Sequence, residues 1–274
     1  MSVLYKEFPA SAAIQPFVAR LWSLEVPAGF DAVDPVLPDG HAEIIVHCGH
    51  PFAEPDVSGT WRTQARVLCA GQTQRAVHLR PTGPALVVGA TLRPHGAAAL
   101  LRTSQHELTD RIVEIAAVNR RLATIVHEEM AGRHDATAAM CALDRALRRA
   151  ARHAAIDPLA ERVVTLAMTR RALVSVGELA STLDLSARRL ERLFRDHVGL
   201  SPKQFLRVHR FQRVLKSLRE EPDVEWADLA IRHGFYDQSH FVNDFKSFTG
   251  QPPSAWDLRD DSLTAVFGGR TLEA

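Results

Sequence analysis

Between Arg188 and Arg219 the chain carries ten basic side chains: Arg188, Arg189, Arg192, Arg195, Lys203, Arg207, Arg210, Arg213, Lys216 and Arg219. Only Glu191 and Asp196 oppose them, a local excess of eight positive charges in a chain whose formal net charge is +1. A concentrated basic stripe is what binding to a phosphate backbone requires. A solvated helix face can have the same composition, so charge alone does not separate the two readings.

A second group with chemical potential is His41, Glu43, His47, Cys48 and His50. On a strand, His41, Glu43 and His47 fall on one face, and alternating His and Glu can point at one metal ion. The spacing departs from the His-x-His pattern of metal-binding cupin barrels, and only His78 follows as a possible partner. These residues therefore read as structural or surface groups, and neither a metal nor a cofactor is expected. Cys48, Cys69 and Cys141 are widely spaced and odd in number, which gives no disulfide framework.

The elements that must position these groups fall into two halves. The first ~92 residues read as β-rich. Val18–Val26, Ala42–Cys48, Trp61–Ala70, Arg75–Leu79 and Ala85–Leu92 are candidate strands, with Pro38-Asp39-Gly40, Gly71 and Gly83-Pro84 among the turns between them. Short strands so punctuated predict a small barrel or sandwich. Helical patterns follow at Ala97–Leu101, from an Asp110 cap to about Gly132, and over Ala136–Ala151. The fold class is thus α+β, a β-rich domain over 1–155 with helices at its end, an all-α domain over 156–258 and a tail over 259–274. The chain has 46% hydrophobic and 24% charged residues. With no apolar run near the ~20 residues of a membrane span and no signal-peptide pattern, a soluble cytoplasmic protein is expected.

The all-α part contains the same device twice. Val176–Ala180 is a short helix, Leu183–Ser186 breaks it, and Ser186 can cap a helix over Ala187–Val198 that buries Leu190, Leu193 and Phe194. Gly199 ends that helix. Ala227–Phe235 and Gln238–Phe248 repeat the pattern, with Gly234 in the turn, Asp237 as cap and Phe241, Phe245 and Phe248 inward; Asp244 is left to face outward or frame the turn. Between the units, Phe205, Val208, Phe211, Val214, Leu215 and Leu218 fall at helical spacing within Pro202–Glu220. A helix of about 18 residues is ~27 Å long, close to the ~34 Å between successive major-groove faces of DNA.

This stretch resembles the DNA-binding domain of the AraC/XylS family of bacterial regulators. The resemblance rests on Leu185-Ser186, Leu190, Arg192-Leu193-Phe194, Gly199 through Pro202, Arg210, Ile231, Gly234-Phe235, Asp237 through Phe241, Phe245-Lys246, Phe248 and Gly250 through Pro253. Asp184 stands where the family often has Gly or Asn, and Val214 where it usually has Ala. The resemblance implies base-edge contacts from Arg188, Glu191 and Arg192 in the first unit and from Ser239, His240 and Asn243 in the second. Arg suits guanine, Glu cytosine and Asn adenine. Phosphate contacts are expected from Arg189, Arg195, Lys203, Gln238 and Lys246.

The implied partner is double-stranded DNA, with RNA polymerase, a small-molecule effector and a second copy of the chain as further expectations. Arg20-Leu21-Trp22, Val36 through Gly40 and Gly89 through Pro94 resemble a β-rich domain of such regulators. Trp22, Trp61 and Arg93 are the candidate effector contacts. The family's domain is also fused to a reactive-cysteine module in DNA-repair methyltransferases, but three scattered cysteines do not supply that site. A regulator, activator rather than enzyme, is the expectation; the alternatives are a DNA-binding accessory protein without effector and an enzyme with a fused regulatory DNA-binding domain.

Overall fold

The computed structural model describes residues 3–169, 175–221 and 224–256. The first half contains β1 (Leu4–Phe8), β2 (Val18–Val26), β3 (Asp34–Val36), β4 (Glu43–His47), β5 (Phe52–Pro55), β6 (Trp61–Thr63), β7 (Val67–Ala70), β8 (Val77–Pro81) and β9 (Ala85–Leu92). After them come α1 (Ala97–Leu101), β10 (Ile112–Glu114), α2 (Ile115–Val118), α3 (Arg120–Met130) and α4 (Ala136–Ala151). The second half is helical, with α5 (Pro158–Thr169), α6 (Val176–Thr182), α7 (Ala187–His197), α8 (Pro202–Glu220), α9 (Trp226–Arg232) and α10 (Gln238–Thr249). No helix among the described residues is long and apolar enough to cross a membrane.

The strands form two open sheets, ordered β1-β2-β9-β4-β7-β10 and β3-β8-β5-β6. The sandwich expectation holds, and the barrel alternative does not, because neither sheet closes on itself. Side-chain alternation explains the layering. Ile44, Val46, Val88, Ala90 and Leu92 share a core with Leu122, Val126, Leu143 and Leu147 of α3 and α4. The opposite face offers Trp22, Leu24, Ile45, Val87 and Ala85, which pack with Phe52 and Leu79 of the smaller sheet. The larger sheet is therefore covered by helices on one side and by strands on the other.

The sequence expectation over Asp110–Gly132 requires correction. Asp110 does not cap a helix. It sits at φ 57°, and its carboxylate accepts from the Gln74 backbone N–H and side-chain amide, both at 2.7 Å. The next residues, Ile112 and Val113, add a short strand to the β7 edge. β-branched residues favour that pleated, half-buried setting. The long helix begins only at α3, where the Asn119 side chain accepts from Leu122 N–H at 3.0 Å. Strands β1, β3 and β5 are additional to those read from periodicity, and the Trp61–Ala70 candidate divides into β6 and β7.

The second half follows its local signals. Ser186, Ser201 and Asp237 cap α7, α8 and α10, accepting from Arg189, Gln204 and His240 N–H groups. Such caps contribute about 0.5–2 kcal/mol each. Asp184 takes the left-handed conformation, φ 52°, in the turn before α7, a role Asp tolerates.

The two halves meet along one seam. Leu37 of the β3–β4 loop is buried in the helical core. The Gln212 side-chain amide on α8 donates to the Pro38 carbonyl. His209 of α8 presses its Nε2 towards Gly40, where an added Cβ would lie 3.2 Å away. Thr109 Oγ1 donates to the Gly199 carbonyl at 2.7 Å, and Ala76 N–H donates to the Phe248 carbonyl at 2.8 Å. The connector helix and the ends of α7 and α10 thus all touch the N-terminal half.

Gly199 combines φ 93° with a backbone that a Cβ would bring to 2.9 Å from the Gln105 carbonyl oxygen. Gly199→Ala should cost about 1–3 kcal/mol by urea unfolding, and an unchanged midpoint would contradict the close approach. His209 makes the α8 side of the seam sensitive to pH. Burial, then the neighbouring His41 and Arg213, hold its imidazole down to about 3 from 6.5. The folded state therefore binds fewer protons than the unfolded one, and its stability falls as pH drops below about 6.5. Between pH 7.5 and 5.5 the wild type should lose about 1.4 kcal/mol more than His209→Gln. Parallel pH profiles of urea midpoints for the two proteins would refute this.

Candidate nucleic-acid interface

The first unit is α6, a tight turn and α7. Ser175 and Glu178 form a reciprocal capping box at the start of α6, so this seven-residue helix has two of its orphan N–H groups satisfied. Leu190, Leu193 and Phe194 bury one face of α7, and Phe194 meets Phe205 of α8 edge-to-face at 5.4 Å. That packing leaves Arg188, Arg189, Glu191, Arg192 and Arg195 exposed. Arg188, Glu191, Arg192 and Arg195 line an open groove of about 440 Å³ together with Gly199, Leu200 and Ser201. Arg195 also pairs with Asp196 at 3.3 Å, a surface contact that a phosphate could displace at little cost.

The second unit is α9, its turn and α10. Phe235, Phe241, Phe245 and Phe248 are buried. Phe211 of α8 stacks on Phe248 at 4.7 Å and meets Phe245 edge-on at 5.6 Å. Gln238, Ser239, His240, Asn243 and Lys246 are exposed. His240 is the most constrained of these, since its ring lies 5.4 Å from Phe235 and its Nδ1 accepts from Tyr236 N–H at 3.4 Å. Ile231 and Tyr236 are also exposed, at 75% and 92% of their surface. Asp244 departs from expectation. It does not face outward but is buried at 7% exposure, accepting from Arg207 and Arg210 of α8.

This pairing changes the meaning of the basic stripe. Of the ten cations counted along the chain, Arg207 and Arg210 are engaged by Asp244, and Lys216 lies 3.8 Å from Glu220. Arg213 and Arg219 are partly buried, and burial lowers the pKa of each. The outward positive charge is therefore concentrated at α7 and the start of α8, on Arg188, Arg189, Arg192, Arg195 and the exposed Lys203. The signal that could have found Asp244 was an acidic residue on a helix face otherwise filled by phenylalanine.

The candidate effector residues are not gathered in one place. Trp22 lies between the sheets, its indole N–H donating to Glu43 at 3.2 Å. Trp61 stands on β6 of the smaller sheet with the Arg80 guanidinium 4.7 Å above its ring. Arg93, just past β9, donates to the Gln15 carbonyl at 2.8 Å. The His/Glu/Cys group is likewise dispersed in its bonding. His41 Nδ1 bonds the Leu92 carbonyl at 2.8 Å, Glu43 accepts from Thr91 at 2.7 Å, and His47 Nε2 bonds Gln64 at 3.1 Å. Burial pushes the Glu43 carboxyl up and the His47 imidazole down to about 4. Among the described residues no three such side chains are clustered to hold a metal ion.

Comparison with known proteins divides the chain along the same lines. Residues 179–259 match a helix-turn-helix domain, and residues 6–114 match a domain of unknown function. The transcriptional activator RhaS of Enterobacter sp. (strain 638) is 35% identical over 91 residues, 33% of this chain and 32% of that protein. The probable transcription factor PqrA of Proteus vulgaris is 28% identical over 81 residues, covering 30% of this chain and 66% of the relative. The activator AarP of Providencia stuartii is 28% identical over 87 residues, covering 32% and 64%. The chain thus matches under two thirds of the length of each of these relatives. A solved structure of ToxT from Vibrio cholerae aligns over 93% of this chain and 97% of its own, at 11% identity and a TM-score of 0.45. Two helix-turn-helix units packed on one connector, with the matching sequence over residues 179–259, make the C-terminal part of this chain a helix-turn-helix domain similar to that of the activator RhaS.

Proposed function

We propose that the protein is a sequence-specific transcriptional regulator that reads two successive major-groove faces of DNA, one with each unit. The observation that carries this reading is the single 19-residue helix α8, on which both units pack. At 1.5 Å per residue it is about 28 Å long, and a stiff element of that length holds the two reading helices apart. In this reading Arg188, Glu191 and Arg192 meet base edges in the first site, and Ser239, His240 and Asn243 do so in the second. Arg189, Arg195, Lys203, Gln238 and Lys246 hold phosphates. The first unit supplies most of the affinity, because the outward positive charge lies there.

The N-terminal sandwich, over 1–155, is the sensing half in this proposal, and the DNA-binding half runs from 156 to 258. The support is the seam: a ligand that moved the Leu37–Gly40 loop would act directly on α8. RNA polymerase as a downstream partner, a cytoplasmic setting and pairing of two copies belong to the same reading. At Cys48 and Cys69 nucleophilic cysteine chemistry is disfavoured by the sites themselves. Burial pushes the Cys48 thiol up to about 11 and the Cys69 thiol up to about 12, whereas a reactive cysteine needs its thiolate near neutral pH.

The test is a footprint of the purified protein on DNA recovered from a genomic binding selection. Two protected blocks about one helical turn apart are expected; one short block would mean that a single unit binds. Arg192→Ala should weaken specific binding by about 1–3 kcal/mol, concentrated at one base position of the first block. Unchanged affinity and base preference would remove Arg192 from the reading face.

A further inference from the structure

Asp244 is a carboxylate on the buried side of the second reading helix, and the basic stripe alone gives no reason for it. Its Oδ1 accepts from Arg207 Nε at 3.0 Å and from Arg207 Nη2, and its Oδ2 accepts from Arg210 Nη2 at 2.9 Å. Each arginine is held on further sides. Arg207 donates to Gln204 Oε1 at 2.7 Å and to Ser247 Oγ at 3.2 Å, and its guanidinium lies 5.2 Å from the Phe248 ring centre. The Arg210 guanidinium lies 4.2 Å from the Phe235 ring centre. The three charges therefore have defined partners and defined planes.

Stability is a weak reason for such an arrangement. Desolvating a carboxylate and two guanidiniums offsets most of their attraction, and apolar side chains of similar volume often serve as well. Orientation is a stronger reason. Arg207 and Arg210 are three residues apart on α8, so they project from one face, and each takes one oxygen of a short, planar carboxylate. Turning α10 by one residue, about 100°, would carry Asp244 away from both. The same turn would replace Ser239 and Asn243 on the outward face.

There is also an electrostatic reason. Arg207 stands one turn along α8 from Lys203 and touches Ser247, the neighbour of Lys246. Both lysines are exposed candidates for phosphate contact. A guanidinium released between them would meet phosphates of any sequence, and every added phosphate contact raises sequence-independent affinity.

We propose that Asp244 is a positioning and specificity-determining residue: by gripping Arg207 and Arg210 it fixes the face that α10 presents to DNA and keeps two arginines from binding phosphate indiscriminately. This rests on the two-unit reading above.

The test uses the full chain and three DNAs: a two-block operator, the same operator with its second block scrambled, and random duplex. Each is titrated over a salt series. Asp244→Asn preserves shape and leaves both arginines in place. Its preference for the intact over the scrambled second block should fall about tenfold, and its affinity for random duplex should rise. Its salt dependence should steepen by about 0.9 per freed arginine that reaches a phosphate. A second variant, Asp244→Leu with Arg207→Met and Arg210→Met, removes all three charges and keeps an apolar filling. It should melt no lower than wild type and lose the second-block preference without the steeper salt slope. If either folded variant keeps the wild-type second-block preference, the proposal is overturned. Should Asp244→Asn not fold, the triple variant decides alone. A wild-type protein indifferent to the second block would instead overturn the two-unit reading, and this proposal with it.

Discussion

The apolar face of α8 is the surface on which the C-terminal half is assembled. Phe205, Val208, Phe211, Val214, Leu215 and Leu218 are all buried, and they belong to one continuous core with Phe194 of the first unit and Phe241, Phe245 and Phe248 of the second. Neither short unit could bury enough surface alone. The helices α6 and α9 have seven residues each, below the length at which an isolated helix is stable in water. Sharing one rigid helix solves that problem and sets the relation between α7 and α10 at the same time. In the proposed reading, the constraint that makes the domain fold is also the one that lets it address two DNA sites together.

The seam with the N-terminal half adds a second constraint to the same helix. Its contacts are mostly polar and involve backbone: Pro38, Gly199 and Phe248 each offer a carbonyl to a donor from across the seam. Hydrogen bonds of this kind need correct geometry and contribute modestly in net terms, so they specify a docking position more than they add stability. Within the loop, Asp39 accepts from His41 N–H at 2.9 Å and faces Arg20 at 3.7 Å. That fixed loop joins the interior of the sandwich to the connector. The buried, unpaired Nε2 of His209 is the seam's weak point, since protonating it there is costly.

The charge pattern shows how much of the site was legible along the chain. The exposed arginines of α7 and the exposed polar residues of α10 follow from helical periodicity, because the buried partners Leu190, Leu193, Phe194, Phe241 and Phe245 are themselves periodic. Caps at Ser186 and Asp237 and the left-handed turn at Asp184 were equally readable, since each involves residues only a few positions apart. The sandwich was less legible. Strands β1, β3 and β5 are short or lack alternation, and Ile112-Val113 form a strand only because the β7 edge is there to pair with.

What the sequence by itself determined is therefore the set of local elements in the second half and which of their faces turn inward, since capping and periodicity act over three or four residues. What the tertiary structure alone decided is which charges remain available. Asp244 meets Arg207 and Arg210 across separations of 37 and 34 residues, and Gln212 meets Pro38 across 174. Ion pairs and seam contacts at such distances arise only once helices have packed. A count of cations along the chain treats all ten as equal, while the packed structure turns five of them outward at α7 and the start of α8 and engages or partly buries the rest.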